Sequence, residues 1–174
     1  MAYYRPVFRK QNPAVDPKEP WPGESASRGN EHGWNNCTMT SGAMALDYHT
    51  HGAKRLWGGD MRHRQSDLSG GTDLSDLQRA WARLGYTLVI RSGRGWADLQ
   101  RCRKEGRAIV CQGRGNVPGV STYTGGHAAI WLPDGAFGDP LANRWQKVDS
   151  QAIRVWMERL NPRLQFAVTR ARKP

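Results

Sequence analysis

The stretch Gly125-Gly126-His127-Ala-Ala-Ile-Trp131-Leu-Pro133-Asp-Gly135-Ala-Phe137-Gly-Asp139-Pro140 decides the reading of this chain. His127–Leu132 is a run of apolar, strand-compatible residues. Pro133-Asp134-Gly135 is a turn signal, and Ala136–Phe137 resumes the strand, so the segment predicts a β-hairpin. Neighbouring antiparallel strands can bring the Asp139 carboxylate against the His127 imidazole and fix its tautomer. Gly125 and Gly126 lack side chains, which leaves room for a substrate chain beside the histidine.

Working outward, a second polar group with chemical potential stands far upstream. Cys37 opens Cys37-Thr-Met-Thr-Ser-Gly-Ala-Met-Ala-Leu-Asp-Tyr48, where Met39, Ala43 and Leu46 recur at helical spacing behind the capping candidates Asn35 and Asn36. A helix N-terminus stabilises a thiolate through its unpaired N–H groups, and the same groups stabilise an oxyanion on an attacked carbonyl. A thiolate nucleophile needs an acid/base partner, and an imidazole held by a carboxylate is one. The order Cys at a helix start, Gly-Gly-His at a strand start, then Gly-Asp-Pro on the partner strand is far less expected by accident than any one of these signals.

The remaining elements follow the same rules. His49–Gly71, rich in Gly and charge, reads as a long surface loop. Asp73 caps a helix with Leu74, Leu77, Trp81 and Leu84 on one face and Gly85 after it. Tyr86–Ile90 reads as a strand, Trp96–Glu105 as a helix, Ala108–Cys111 as a strand and Gly113–Gly126 as a loop. Ser150–Leu160 reads as a closing helix and Leu164–Thr169 as a last strand. Helices come early and strands mostly late, which predicts an α+β fold.

Composition bounds the rest. A chain of 174 residues suits one core, and a hydrophobic fraction of 38% with eight Trp suits a packed globule. Three cysteines cannot close a disulfide framework. The longest apolar run, Ala128–Leu132, is far short of the ~20 residues of a membrane span, so no membrane association is expected. The start, Met1-Ala-Tyr-Tyr-Arg5-Pro, has no apolar core of a signal peptide, which predicts cytoplasmic synthesis. The net charge of +11 is concentrated in Arg91–Arg114, with seven bases and two acids, and in Arg154–Pro174, with six and one. Such charge attracts polyanions: a cell wall, an acidic protein surface or nucleic acid. Nucleic acid is disfavoured because no groove-reading motif accompanies it.

The motif residues resemble those of a known family. Asn36-Cys37 opening an Ala/Met-rich helix, Gly126-His127-Ala-Ala-Ile-Trp on a strand, and Phe137-Gly-Asp139-Pro140-Leu look like a papain-like cysteine peptidase. The likeness is to the bacteriocin-processing (double-glycine) peptidase domains and their stand-alone bacterial and phage relatives. It implies a fold in which the helix bearing the Cys packs on an antiparallel sheet bearing His and Asp. Carried over, Cys37 is the nucleophile, His127 the general base and acid, and Asp139 the orienting residue. The substrate implied is a peptide or peptidoglycan amide, with no cofactor. One position departs from the pattern: six residues before the Cys, where the family places a Gln to donate into the oxyanion hole, stands Glu31, an acceptor when ionised. Asn35 and Asn36 are the alternative amides. Thr38 and Met39 stand where Gly and a small residue or Pro are common. An alternative to catalysis is therefore a structural virion component reusing the fold.

Three segments result: a Pro-rich extended arm over 1–30, a peptidase-type domain over 31–169 and a basic tail over 170–174. The arm and residues 164–174 are the expected docking segments for neighbouring subunits, as in a bacteriophage particle. Cys102 and Cys111 read as core filling. His49, His51 and His63 lack a metal-site spacing, so no metal is expected. Trp21, Trp34, Trp57 and Trp145 fall in predicted loops, where exposed rings could stack on sugars or peptide side chains, Trp34 beside the candidate nucleophile.

Overall fold

The computed structural model describes residues 4–9, 36–62, 64, 72–142 and 144–170. Among the described residues three helices precede the first strand: α1 (Cys37–Thr50), α2 (Gly58–Arg62) and α3 (Leu74–Arg83). Then follow β1 (Leu88–Ser92), α4 (Gly95–Lys104), β2 (Ile109–Arg114), β3 (Gly126–Trp131), β4 (Ala136–Gly138), β5 (Gln146–Lys147), α5 (Ser150–Leu160) and β6 (Gln165–Thr169). The strands form one six-stranded sheet in the order β1-β6-β2-β3-β4-β5, with every pairing antiparallel. The α+β class and the helix-on-antiparallel-sheet arrangement expected from sequence are what the chain forms.

Side chains alternate across this sheet. Val110, Ile130 and Ala167 face one side and pack with Met39, Leu46, Leu77 and Trp81 of α1 and α3. Cys111, Trp131, Phe166 and Val168 face the other and pack with Leu99 and Cys102 of α4 and with Ile153, Trp156 and Met157 of α5. The sheet is thus covered on both faces, and α1 itself is enclosed by β3, α2 and α3. Every residue from Thr38 to Tyr48 is buried, and small residues make this enclosure possible. A Cβ on Gly42 would lie 2.1 Å from a Leu77 methyl, so α3 packs directly against the α1 backbone there.

The capping box expected at Asp73 forms with Asp76, each side chain accepting from the other's backbone N–H. The strand after α3 starts two residues later than the β-propensity of Tyr86 suggests. Tyr86 instead packs on Trp81 and His49. The region read as a surface loop contains α2, whose five residues are all buried. Its two glycines carry no apolar signal, yet they let it close on α1: a Cβ on Gly58 would sit 2.2 Å from Thr40 Oγ1. Strand β5 was not anticipated either; at two residues it is too short for a pattern.

Part of the Pro-rich arm belongs to the packed body. Arg9 and Asp47 are both fully buried and form an ion pair at 2.9 Å. Asp47 also accepts from the Tyr4 hydroxyl and the Val7 N–H. Trp145 meets Phe8 edge-on and donates to the Pro6 carbonyl, so it closes the body rather than standing free for ligands. Trp57 is likewise buried, while Trp21 and Trp34 lie outside the described residues. Residues 165–169 pair with β1, and 166–168 pair with β2 as well, so this part of the expected docking segment is already occupied within the sheet. No described helix is long and apolar enough to cross a membrane.

Candidate active site

Cys37 is the first residue of a 14-residue helix, as its sequence position suggested. The first N–H groups of a helix have no intrahelical acceptor and point at whatever lies before it. Asn36 stands at the N-cap position, but its side chain makes no cap bond; its Oδ1 instead accepts from the buried Arg62 guanidinium at 3.1 Å. That corrects the reading of Asn36 as a cap and ties its side-chain oxygen to α2. The other oxyanion-hole candidates, Asn35 and Glu31, lie outside the described residues, as does Trp34.

The sheet register brings the other two groups together. His127 pairs with Gly113, and Ile130 pairs with Gly138. One step further, Asp139 comes opposite Ala129, two residues from His127 on the same face. That diagonal is within side-chain reach. The result is a contact of 2.6 Å between His127 Nε2 and Asp139 Oδ1, both residues only 4% exposed. The same Asp139 oxygen accepts the Leu141 N–H at 2.8 Å, which fixes the carboxylate. His127 and the Cys37 thiol also interact, each shifting the other's titration toward the charged pair. With Nε2 on the carboxylate, Nδ1 is the ring nitrogen left for sulfur.

The electrostatics favour an ion pair. Burial pushes the Cys37 thiol up, but the hydrogen bond and charge of His127, the Ala128 N–H and the Thr38 hydroxyl together hold it below the ordinary thiol value. Burial pushes His127 down, yet Asp139 and Cys37 lift it to about 9. The other cysteines behave differently. Cys111 is fully buried and pushed up to about 12, and burial also raises Cys102. Only Cys37 is partly exposed, and none of the three is in a disulfide.

Several positioning residues carried no sequence signal. Thr38 donates from Oγ1 to the Thr72 carbonyl at 2.8 Å and accepts from Gln112 Nε2 at 3.4 Å, which ties the first turn of α1 to the 72–73 linker and to β2. Trp156 meets the His127 ring edge-on with centroids 6.4 Å apart, and fits there because position 113 has no side chain. A Cβ on Gly113 would come within 2.1 Å of the Trp156 ring. Tyr123 also meets the imidazole, tilted, with centroids 5.6 Å apart. It also fills the space expected to admit substrate beside Gly125, where a Cβ would be 2.8 Å from its ring. Gly126, by contrast, faces only Leu160 among the described residues, at 4.0 Å.

Among the described residues no cluster of His, Cys, Asp and Glu could hold a metal ion. His49 packs on Trp81 and Tyr86, and His51 stacks on Tyr4 across a different surface; His63 lies outside the described residues.

The overall fold is also found among solved structures. A candidate C39-like peptidase from Bacillus anthracis superposes with a TM-score of 0.57, covering 80% of this chain and 90% of its own, at 14% identity. The fold is that of a C39-like, papain-like peptidase. No family model matches the sequence, and no curated protein is significantly similar to it.

Proposed function

We propose that the protein is a papain-like cysteine peptidase that cuts an amide bond through a thioester intermediate. The observation that carries this is the continuous chain Cys37–His127–Asp139 at the N-terminus of α1, with His127 Nε2 at 2.6 Å from Asp139. In this reading the Cys37 thiolate attacks the carbonyl carbon, and negative charge develops on its oxygen in front of the first N–H groups of α1. The tetrahedral intermediate collapses as the C–N bond breaks, and the imidazolium of His127 gives its proton to the departing amine. Neutral His127 then takes a proton from water as its oxygen attacks the thioester carbonyl; the C–S bond breaks, the carboxylic acid departs, and the Cys37 thiolate beside protonated His127 is restored. Asp139 holds the ring in one tautomer throughout.

The finer reading is that the bond lies in a peptidoglycan cross-link reached from a bacteriophage particle. A net charge of +11 supports attraction to an anionic wall. Comparing wild type with Cys37→Ala for release of peptide from purified cell walls tests it, and equal release by both would remove the hydrolase reading. The substitution of Glu31 for the usual amide favours one alternative, a structural virion component with little catalysis. On that alternative Cys37→Ala changes neither release nor particle assembly.

A further inference from the structure

The direction of the chemistry assigns a role to a groove next to the site, on the peptidase reading above. The departing amine takes its proton from His127, so the part of the substrate that leaves with the amine passes on the His127 side of Cys37. Beyond His127 stands Asp139, and Asp139 forms one wall of a groove of about 560 Å³. Val120 and Ser121, from the loop between β2 and β3, line it on one side; Leu141, Arg144 and Gln146 line it on the other. Asp139 Oδ1 is already committed to His127 and to the Leu141 N–H. Arg144 is exposed and has no ion-pair partner among the described residues, so it is the charge in this groove still able to take a counterion.

We propose that this groove receives the portion of the substrate released with the amine, and that Arg144 selects a carboxylate there. The carboxylate is either an acidic side chain or the free end of the chain. An exposed charge pair is worth ~0.2–1 kcal/mol, which corresponds to a preference of up to about fivefold. Added salt weakens it.

The test uses a synthetic random peptide library passed over immobilised full-length Cys37→Ala protein, with retained peptides sequenced by mass spectrometry. Expected is an enrichment of carboxylate-bearing peptides of about two- to fivefold, lost or inverted in Cys37→Ala/Arg144→Glu. A second library with amidated C-termini separates the sources: enrichment that survives amidation assigns side-chain carboxylates, and enrichment that vanishes assigns the chain end. Arg94→Glu, an equal charge change on a residue outside the groove, controls for attraction by the protein's overall charge. The proposal is overturned if no peptide is retained, if Arg144→Glu leaves the enrichment intact, or if Arg94→Glu removes it as well. Selective retention by Cys37→Ala combined with no cleavage by wild type would overturn the peptidase reading and, with it, the leaving-group role of the groove, while carboxylate selection by Arg144 would stand.

Discussion

Replacing Asp139 with Asn isolates charge from shape at the candidate centre. Asp139 Oδ1 is 2.6 Å from His127 Nε2 and 2.8 Å from the Leu141 nitrogen. An amide oxygen can accept both bonds, so tautomer and ring position are retained. The negative charge is lost. Against burial, the hydrogen bonds and charges of Asp139 and Cys37 raise His127 from 6.5 to about 9. At about 1.4 kcal/mol per pH unit, that interval is on the order of 3 kcal/mol, divided between the two partners. If Asp139 supplies half, the His127 midpoint falls by at least about one pH unit. The sign for activity follows. The reactive pair exists above the thiol's lowered midpoint and below that of His127, so the alkaline limb moves down when the carboxylate charge goes. Weaker imidazolium support also moves the acid limb up, and the pH window narrows from both sides, the limbs belonging to the pair as a whole. The assay is a ring-proton NMR titration, with His127 assigned by comparison with His127→Ala, read beside a pH profile of kcat/KM. A loss of roughly tenfold at the optimum is expected for one pH unit. Asp139→Ala should lose more, because it leaves a buried N–H without an acceptor. A His127 midpoint that stays within a few tenths of wild type in Asp139→Asn, yet drops in Cys37→Ala, would refute the role given to the carboxylate.

Three other outcomes are expected. His127→Ala should raise the midpoint for alkylation of Cys37 by iodoacetamide, since it removes the partner that does most to hold the thiol below its ordinary value. Gly113→Ala should destabilise the fold by about 1–3 kcal/mol in urea unfolding, because the new methyl meets the Trp156 ring and the core has no slack beneath His127. Arg9→Ala should cost up to roughly 3–5 kcal/mol by the same measurement, because it removes the buried partner of Asp47 and leaves, among the described residues, only Arg55, at 3.8 Å, to balance its charge. Arg9→Met with Asp47→Leu should recover part of that loss.

Much of the fold was legible in local pattern. The hairpin around Pro133–Gly135 could be read from turn chemistry, and α3 from its Asp73 cap and apolar face. Helix α1 was visible, but its environment was not. It is buried on all sides and has no strong amphipathic signature, so its sequence does not reveal which neighbours enclose it. Helix α2 was hidden for a related reason: Gly58 and Gly59 contribute close approach rather than apolar area. The packing of residues 4–9 depends on Asp47, nearly forty residues away, and no local rule couples them.

By itself the sequence determined the order of chemical groups: a Cys at a helix start, a His at a strand start and an Asp beyond the next turn. Periodicity and turn rules act over a few residues, and these three positions each obey them. Their convergence was decided by tertiary structure. The register of β3 with β2 and β4 sets His127 beside Asp139, and the packing of α1 on the sheet brings Cys37 within interaction range of the imidazole. The same packing closes space that glycines alone would open. Tyr123 takes the room beside Gly125, and Trp156 takes the room over Gly113. A missing side chain shows where a neighbour can come close; which neighbour comes is settled by long-range contacts.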